Sequence, residues 1–318
     1  MILLENLSKT YAKSGTKAID GLTLEIRDGE IFGFLGPNGA GKSTTIRMLC
    51  GILAPSGGKG RVAGFDIFRE AEKIKQNIGY MSQRFSLYED LKVQENLNFY
   101  AGIYRLPRKD KEERIAWALA MAGLSGRRES LTRNLAGGWK QRLALGCAIL
   151  HEPSVLFLDE PTSGVDPLSR RRFWDLIYEM IARGVTVFVT THYMDEAEYC
   201  DRLALIDEGR IIALGTPDEL KVRLPEAVWE LRTDRLDEAL AALKKSRERP
   251  PAAPMALPLF SEVAVFGNTL HILARRDEDL SLSLLPLLGS RGIRVEALER
   301  IEPSLEDVFV ALVEKRPG

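Results

Sequence analysis

The sequence has little cysteine, little histidine, no surplus of charge and no long apolar run. Three cysteines, Cys50, Cys147 and Cys200, lie far apart among 318 residues. An odd number with no CxxC pair argues against a disulfide framework and fits a reducing compartment. Each reads as a small buried apolar residue. Lys plus Arg total 44 and Asp plus Glu 45, a net charge of −1. That balance gives no general attraction to nucleic acid or anionic lipid. No window reaches the roughly 18 apolar residues of a membrane span. The longest apolar pieces, such as "SVLFL" and "GVTVFV", have the length of buried strands. The opening residues, MILLENLSKTY, lead directly into strand-like sequence, so no signal peptide is expected. Any membrane role is expected to run through a partner.

What is present is a core-forming composition, 45% apolar, in a chain long enough for one large or two ordinary domains. Strands are predicted at 2–7, 22–27 and 30–36, and a helix at 42–50. Residues 89–126 read as mostly helical, with Leu97, Tyr100, Ile103, Ile115, Leu119 and Ala122 at the apolar positions. A helix at 139–150, a strand at 154–160, a helix at 167–183 and a strand at 184–192 follow. A hairpin is predicted over 202–215 around Glu208-Gly209. All-apolar strands alternating with helices indicate an α/β fold with a mainly parallel sheet covered on both faces.

The pattern changes near residue 225. A strand (227–233), an amphipathic helix (235–246), a Pro-rich surface loop (249–258) and a hairpin around Gly267-Asn268 come next. A helix over 280–292, interrupted or bent at Pro286, and a strand over 293–301 complete a βαββαβ order. That is a ferredoxin-like α+β arrangement. A short helix in "PSLEDVFVALVEK" closes the chain. The expected domains are 1–222 and 225–318. The second carries no readable chemistry and is expected to stabilise a dimer or to regulate.

The strongest chemical signal is "GPNGAGKST", made of Gly36, Pro37, Asn38, Gly39, Ala40, Gly41, Lys42, Ser43 and Thr44. It satisfies G-x-x-x-x-G-K-[ST] between a strand and a helix. Glycines let main-chain N–H groups turn inward around phosphate oxygens. Lys42 supplies a cation for the β- and γ-phosphates, Ser43 a hydroxyl for Mg²⁺, and Thr44 stands at the helix N-terminus. The second signal is "VLFLDEP". Asp159, at the C-terminal edge of a buried strand, is the candidate Mg²⁺ ligand. Glu160 is the candidate to polarise the attacking water. Two acids capping a strand in solvent are the alternative reading of this pair. "RRR" at 170–172 reads as a solvated face, and Arg127-Arg128 borders a loop. His151 and His271 read as structural.

These motifs, with Tyr11, Gln83 in "YMSQ", "LAGGWKQR" at 135–142, "SGVD" at 163–166 and "TTH" at 190–192, stand in a fixed order. Over about residues 1–220 the chain resembles the ATP-binding subunit of an ABC transporter. The tail "PSLEDVFVAL" and the added small domain resemble the drug-resistance exporter subgroup. The resemblance implies a P-loop NTPase core with a helical subdomain at about 84–145. It implies that Tyr11 stacks on adenine, that Gln83 reaches Mg²⁺ and the attacking water, and that His192 contacts the γ-phosphate. Ala136, Gly137, Gly138 and Asp166 are implied to face the nucleotide held by a second subunit. The family pattern L-S-G-G-Q stands here as Leu135, Ala136, Gly137, Gly138, Trp139. The lost hydroxyl removes a hydrogen bond worth roughly 1.5–3 kcal/mol to a charged group, about 10- to 100-fold in affinity. Main-chain donors and the helix dipole remain.

The implied protein is an ATPase with ATP and Mg²⁺, a homodimer or heterodimer of ATP-binding subunits on an integral membrane permease. It is expected on the cytoplasmic, inner face of the cell membrane, exporting a drug-like or hydrophobic substrate, with no nucleic-acid partner. The alternative is a soluble ATPase of the same family acting on ribosomes or nucleic acid. Such proteins usually carry two nucleotide units or a long coiled coil, and this sequence has neither. A non-catalytic regulatory partner is a third reading, motivated by Ala136 and opposed by Glu160 and His192.

Overall fold

A computed structural model describes residues 1–83, 86–248 and 259–314. The chain divides into two compact units, Met1–Thr216 and Pro217–Gly318. The division falls before the expected 222, because the short helix at Pro217–Val222 packs with the last helix of the second unit. The Pro-rich segment 249–258 lies outside the described residues.

In the first unit the elements are β1 (Ile2–Thr10), β2 (Lys17–Ile26), β3 (Ile31–Leu35), α1 (Lys42–Leu49), β4 (Gly57–Val62), β5 (Phe65–Asp66), α2 (Ala71–Asn77) and β6 (Ile78–Met81). Next come α3 (Val93–Ile103), α4 (Arg108–Met121), α5 (Gly137–Ile149), β7 (Val155–Asp159), α6 (Pro167–Ala182), β8 (Thr186–Thr191), α7 (Met194–Ala197), β9 (Arg202–Asp207) and β10 (Arg210–Gly215). Six strands form a sheet in the order β10-β9-β3-β8-β7-β6, parallel except for the edge pair β9–β10. A smaller antiparallel sheet has the order β2-β1-β4-β5.

Side chains alternate across a strand, and the large sheet uses both faces. Phe32, Phe34, Phe157 and Phe188 join one core with the small sheet and α1. Their neighbours Ile31, Leu156, Leu158, Val187 and Val189 join a second core with α5 and α6. The strands are therefore apolar throughout, as a sheet covered on both sides requires. A third core holds α3, α4 and α5 together through Leu97, Ile115, Leu119, Ala122, Leu143 and Cys147. Tyr100 is half-buried beside it, but Ile103, expected inside, is 55% exposed because α3 ends there. All three cysteines are buried and free.

The second unit holds α8 (Pro217–Val222), β11 (Glu226–Thr233), α9 (Leu236–Glu248), β12 (Glu262–Phe266), β13 (Thr269–Arg275), α10 (Ser281–Gly289), β14 (Val295–Ile301) and α11 (Leu305–Glu314). Its sheet runs β12-β13-β11-β14 with every pair antiparallel. With the chain order βαββαβ this is the split βαβ arrangement. α10 continues through Pro286. Among the described residues no helix is long and apolar enough to cross a membrane.

Candidate functional site

Two backbone constraints shape the loop between β3 and α1. Gly41 has φ +107°, and a Cβ there would stand 2.7 Å from the Ala18 carbonyl oxygen. A Cβ on Gly36 would stand 2.1 Å from the Ile206 carbonyl oxygen. The β9–β10 turn also holds this loop, because the Gly209 N–H donates to the Ala40 carbonyl at 3.0 Å. Gly41 caps α1, and Thr45 makes the first helical bond, to the Gly41 carbonyl at 2.9 Å. Lys42, Ser43 and Thr44 thus occupy the first turn, where N–H groups have no intrahelical partner and the dipole is positive. A cleft of about 350 Å³ opens over them, lined by Ala18, Asn38, Gly39, Gly41, Lys42, Gln83 and Glu160 among others.

The charged groups converge at the ends of β7 and β8. Lys42 is 4% exposed, Asp159 2% and Glu160 6%. Buried charges of this kind need partners, and each has them. The Lys42 ammonium donates to the carbonyls of Gly36 (2.7 Å) and Pro37 (3.1 Å) and lies 3.2 Å from Glu160 Oε1. Asp159 Oδ1 accepts from Ser43 Oγ at 3.1 Å and from Thr190 Oγ1 at 2.8 Å. Glu160 Oε2 accepts from Gln83 Nε2 at 2.9 Å and lies 3.2 Å from His192 Nδ1. Glu160 itself has φ +47°, a conformation costly for a non-glycine residue. Its N–H is pinned by the Thr190 carbonyl and hydroxyl, both at 3.0 Å. Thr190 therefore orients both acids, a role that the reading of "TTH" through His192 alone had missed.

Ser43 and Asp159 form a pair of hard oxygen donors that fits Mg²⁺. That ion is bound by one or two carboxylates plus phosphates and water rather than by an all-protein cage. No cluster of three or more His, Cys, Asp or Glu suited to a metal occurs among the described residues.

Tyr11, 38% exposed, reaches the same loop: its hydroxyl is 3.4 Å from Thr44 Oγ1. Ala136, Gly137, Gly138 and Asp166 form a second group, at the tips of α5 and α6. Ala136 caps α5 without a side-chain bond, and its carbonyl accepts from the N–H groups of Trp139 and Lys140. The helix therefore starts at Gly137, ahead of the expected 139. Ala136 and Gly137 are exposed, whereas a Cβ on Gly138 would strike Ser169 Oγ at 2.6 Å. Asp166 caps α6 by accepting from the Ser169 N–H at 2.9 Å. Bonds to Ser169 hold its carboxyl below the usual range. The Trp139 indole turns onto the helical core, between the guanidinium groups of Arg127 and Arg142, 5.0 and 3.8 Å from the ring centre.

One expectation fails. Arg171 and Arg172 are exposed, but Arg170 is not part of a solvated face. It turns inward onto Tyr193, Asp195 and Glu196, because a fully buried carboxylate on α7 needs a cation.

A family model described as "ABC transporter" matches residues 19–163. The chain is 36% identical over 316 residues to the linearmycin resistance ATP-binding protein LnrL of Bacillus subtilis, covering 98% of both chains. It belongs to the ATP-binding proteins of the ABC transporter family. Another such protein, the probable multidrug ABC transporter ATP-binding protein YbhF of Escherichia coli, is 52% identical over 206 residues. That match covers 65% of this chain and 36% of YbhF, so the chain spans about a third of that relative. Among solved ABC structures, CbiO1 of Clostridium perfringens, part of the CbiONQ transporter complex, superimposes with a TM-score of 0.64 at 33% identity. It covers 70% of this chain and 90% of CbiO1. An ABC ATP-binding fold is thus shared well beyond the P-loop.

Proposed function

We propose that this chain binds and hydrolyses ATP and thereby powers a separate membrane permease that exports a drug-like or hydrophobic compound. The observation that carries the reading is the convergence of Lys42, Gln83 and His192 on the one carboxylate, Glu160, at the lip of the cleft. Triphosphate in that cleft would meet the free amides of the α1 first turn and the Lys42 ammonium. Glu160 would accept hydrogen bonding from the attacking water, and Gln83 and His192 would hold that water and the γ-phosphate in line. Ser43 and Asp159 would hold Mg²⁺, which supplies neutralisation of phosphate charge when bound. Tyr11 would stack on the base.

The exposed tip of α5 supports a dimer. Gly137 and Ala136 present open backbone at a helix N-terminus, suited to the γ-phosphate of a facing subunit. Asp166 would shape that facing site. ATP then closes two chains, and hydrolysis removes the contacts that close them. The second unit would stabilise the dimer or regulate it. The names of LnrL, a linearmycin resistance protein, and of YbhF, a probable multidrug transporter protein, support export, and a partner permease would hold the chain at the inner face of the membrane. The test is ATP turnover by the full chain with its permease co-expressed. Turnover that rises with the permease is expected; none in its presence overturns the reading.

A further inference from the structure

The buried charge that turns Arg170 inward calls for an account. Glu196, on α7, is 0% exposed. Its Oε1 accepts from the Thr162 hydroxyl and lies 3.4 Å from Arg170 Nε. Its Oε2 is buried with no hydrogen-bond partner in the structure. Arg170 Nε is likewise buried without a hydrogen bond, so the two are held as an ion pair, and removal of the cation beside a buried carboxylate is costly.

The pair sits between the two catalytic strand ends. Thr162 lies two residues after Glu160 in "DEPT", and Tyr193 follows His192 in "THYMDEAE". The Arg170 guanidinium lies over the Tyr193 ring, 4.4 Å from its centre. It also donates from Nη1 to Asp195 at 3.3 Å. The Tyr193 ring in turn packs on the His192 ring, with centroids 4.1 Å apart. His192 meets Glu160 Oε2 at 3.2 Å. Contacts run from Thr162 through Glu196, Arg170, Tyr193 and His192 to Glu160, and the chain itself joins Glu160 to Thr162 through Pro161. His192 stands one residue beyond the end of β8. The Tyr193 ring packs beside it at a tilt of 37°, and the Arg170 guanidinium covers that ring. Arg170 also follows Ser169, which abuts Gly138 of the α5 tip.

We infer that Arg170 is a positioning residue for ATP hydrolysis: paired with Glu196 and laid over Tyr193, it orients His192 toward Glu160 and the cleft. This inference rests on the ATPase reading for its kinetic consequence, though not for its structural one. Arg is required over Lys, because only a planar fork both stacks on a ring and reaches two carboxylates.

The test uses Arg170→Met, Arg170→Lys and His192→Ala in the full chain with its permease. Arg170→Met is expected to lower kcat about 10- to 100-fold, the scale of a misplaced catalytic group, with KM for ATP unchanged within about twofold. Arg170→Lys should recover only part of the loss. In a His192→Ala background, Arg170→Met should cost little more. Additive losses in that double variant would overturn the inference, as would a KM that rises in step with the kcat loss. A second readout does not depend on turnover. The chain has only 3 histidines, so their imidazole NMR signals are separable. Arg170→Met should move the His192 signals by releasing the Tyr193 ring, and leave those of His151 and His271 in place. An unmoved His192 signal in a folded variant refutes the positioning role even if ATP turnover is never seen. Absent turnover in the unaltered chain, with a moved His192 signal, would instead count against the ATPase reading alone.

Discussion

Each unit contains a histidine facing a carboxylate, and the two pairs differ in what surrounds them. His192 lies 3.2 Å from Glu160, with its side chain 31% exposed at a cleft. His271 lies 2.8 Å from Asp307, with both side chains almost sealed, 9% and 0% exposed. Phe266 stacks on His271 at 3.8 Å, and Asp307 also accepts from the Ser304 N–H (2.8 Å) and hydroxyl (2.6 Å). Glu160 is shared among Lys42, Gln83 and His192, groups suited to a phosphate and a water. Asp307 is spent on its own helix start and on tying α11 to β13. A histidine–carboxylate pair thus borders open volume in one unit, where we propose that it serves chemistry, and is closed over in the other, where it ties the fold together. The identity of a polar pair does not decide its role; access does.

Substitutions sharpen that contrast. The largest effect is expected from Glu160→Gln, which keeps shape but removes the base: kcat should fall about 10²- to 10⁴-fold, in a chain that still folds because the Gly36 and Pro37 carbonyls keep hold of Lys42. Steady-state turnover and a melting curve check this; a variant that turns over freely breaks the comparison. Asp307→Ala should do the reverse, leaving turnover intact while destabilising the second unit by about 1–3 kcal/mol for the orphaned partners. Faster amide exchange confined to β13 and α11 would report it. Ala136→Ser should add a helix cap worth roughly 0.5–2 kcal/mol and raise or preserve turnover; a fall would contradict the assignment of the α5 tip. The smallest effect concerns the third histidine. His151 stacks on Tyr104 at 3.7 Å, and burial lowers its pKa from 6.5. The neutral form is the one the fold favours, so its contribution is complete above pH 6.5 and is lost as pH falls through the lowered value. An imidazole titration midpoint below 6.5 is expected; a midpoint above it removes the effect.

Much of this was legible in the sequence, for definable reasons. The P-loop and the Asp159-Glu160 strand end carry their chemistry in consecutive residues, so spacing alone locates them. The large sheet announces itself through all-apolar strands. What escaped depends on contacts between distant segments. β4 has no counterpart among the predicted strands, because its glycines break the apolar alternation, yet a Cβ on Gly58 would strike the Asn6 carbonyl at 2.3 Å, and only the neighbouring strand reveals that need. The same holds for Arg170. Three adjacent arginines look alike in sequence, and only the helical phase of α6 and a buried Glu196 separate the first from the others. Thr190 was overlooked because a threonine within "VTTH" is ordinary strand sequence until Asp159 is found beside it.

The most direct test is the mass of the Glu160→Gln chain, assembled with its permease, when Mg²⁺-ATP is added and hydrolysis cannot proceed. A stable assembly containing two ATP-binding chains and two trapped nucleotides is the predicted result. A single ATP-binding chain, unchanged by nucleotide, would contradict the proposal that the cleft of one chain and the α5 tip of another enclose the same triphosphate.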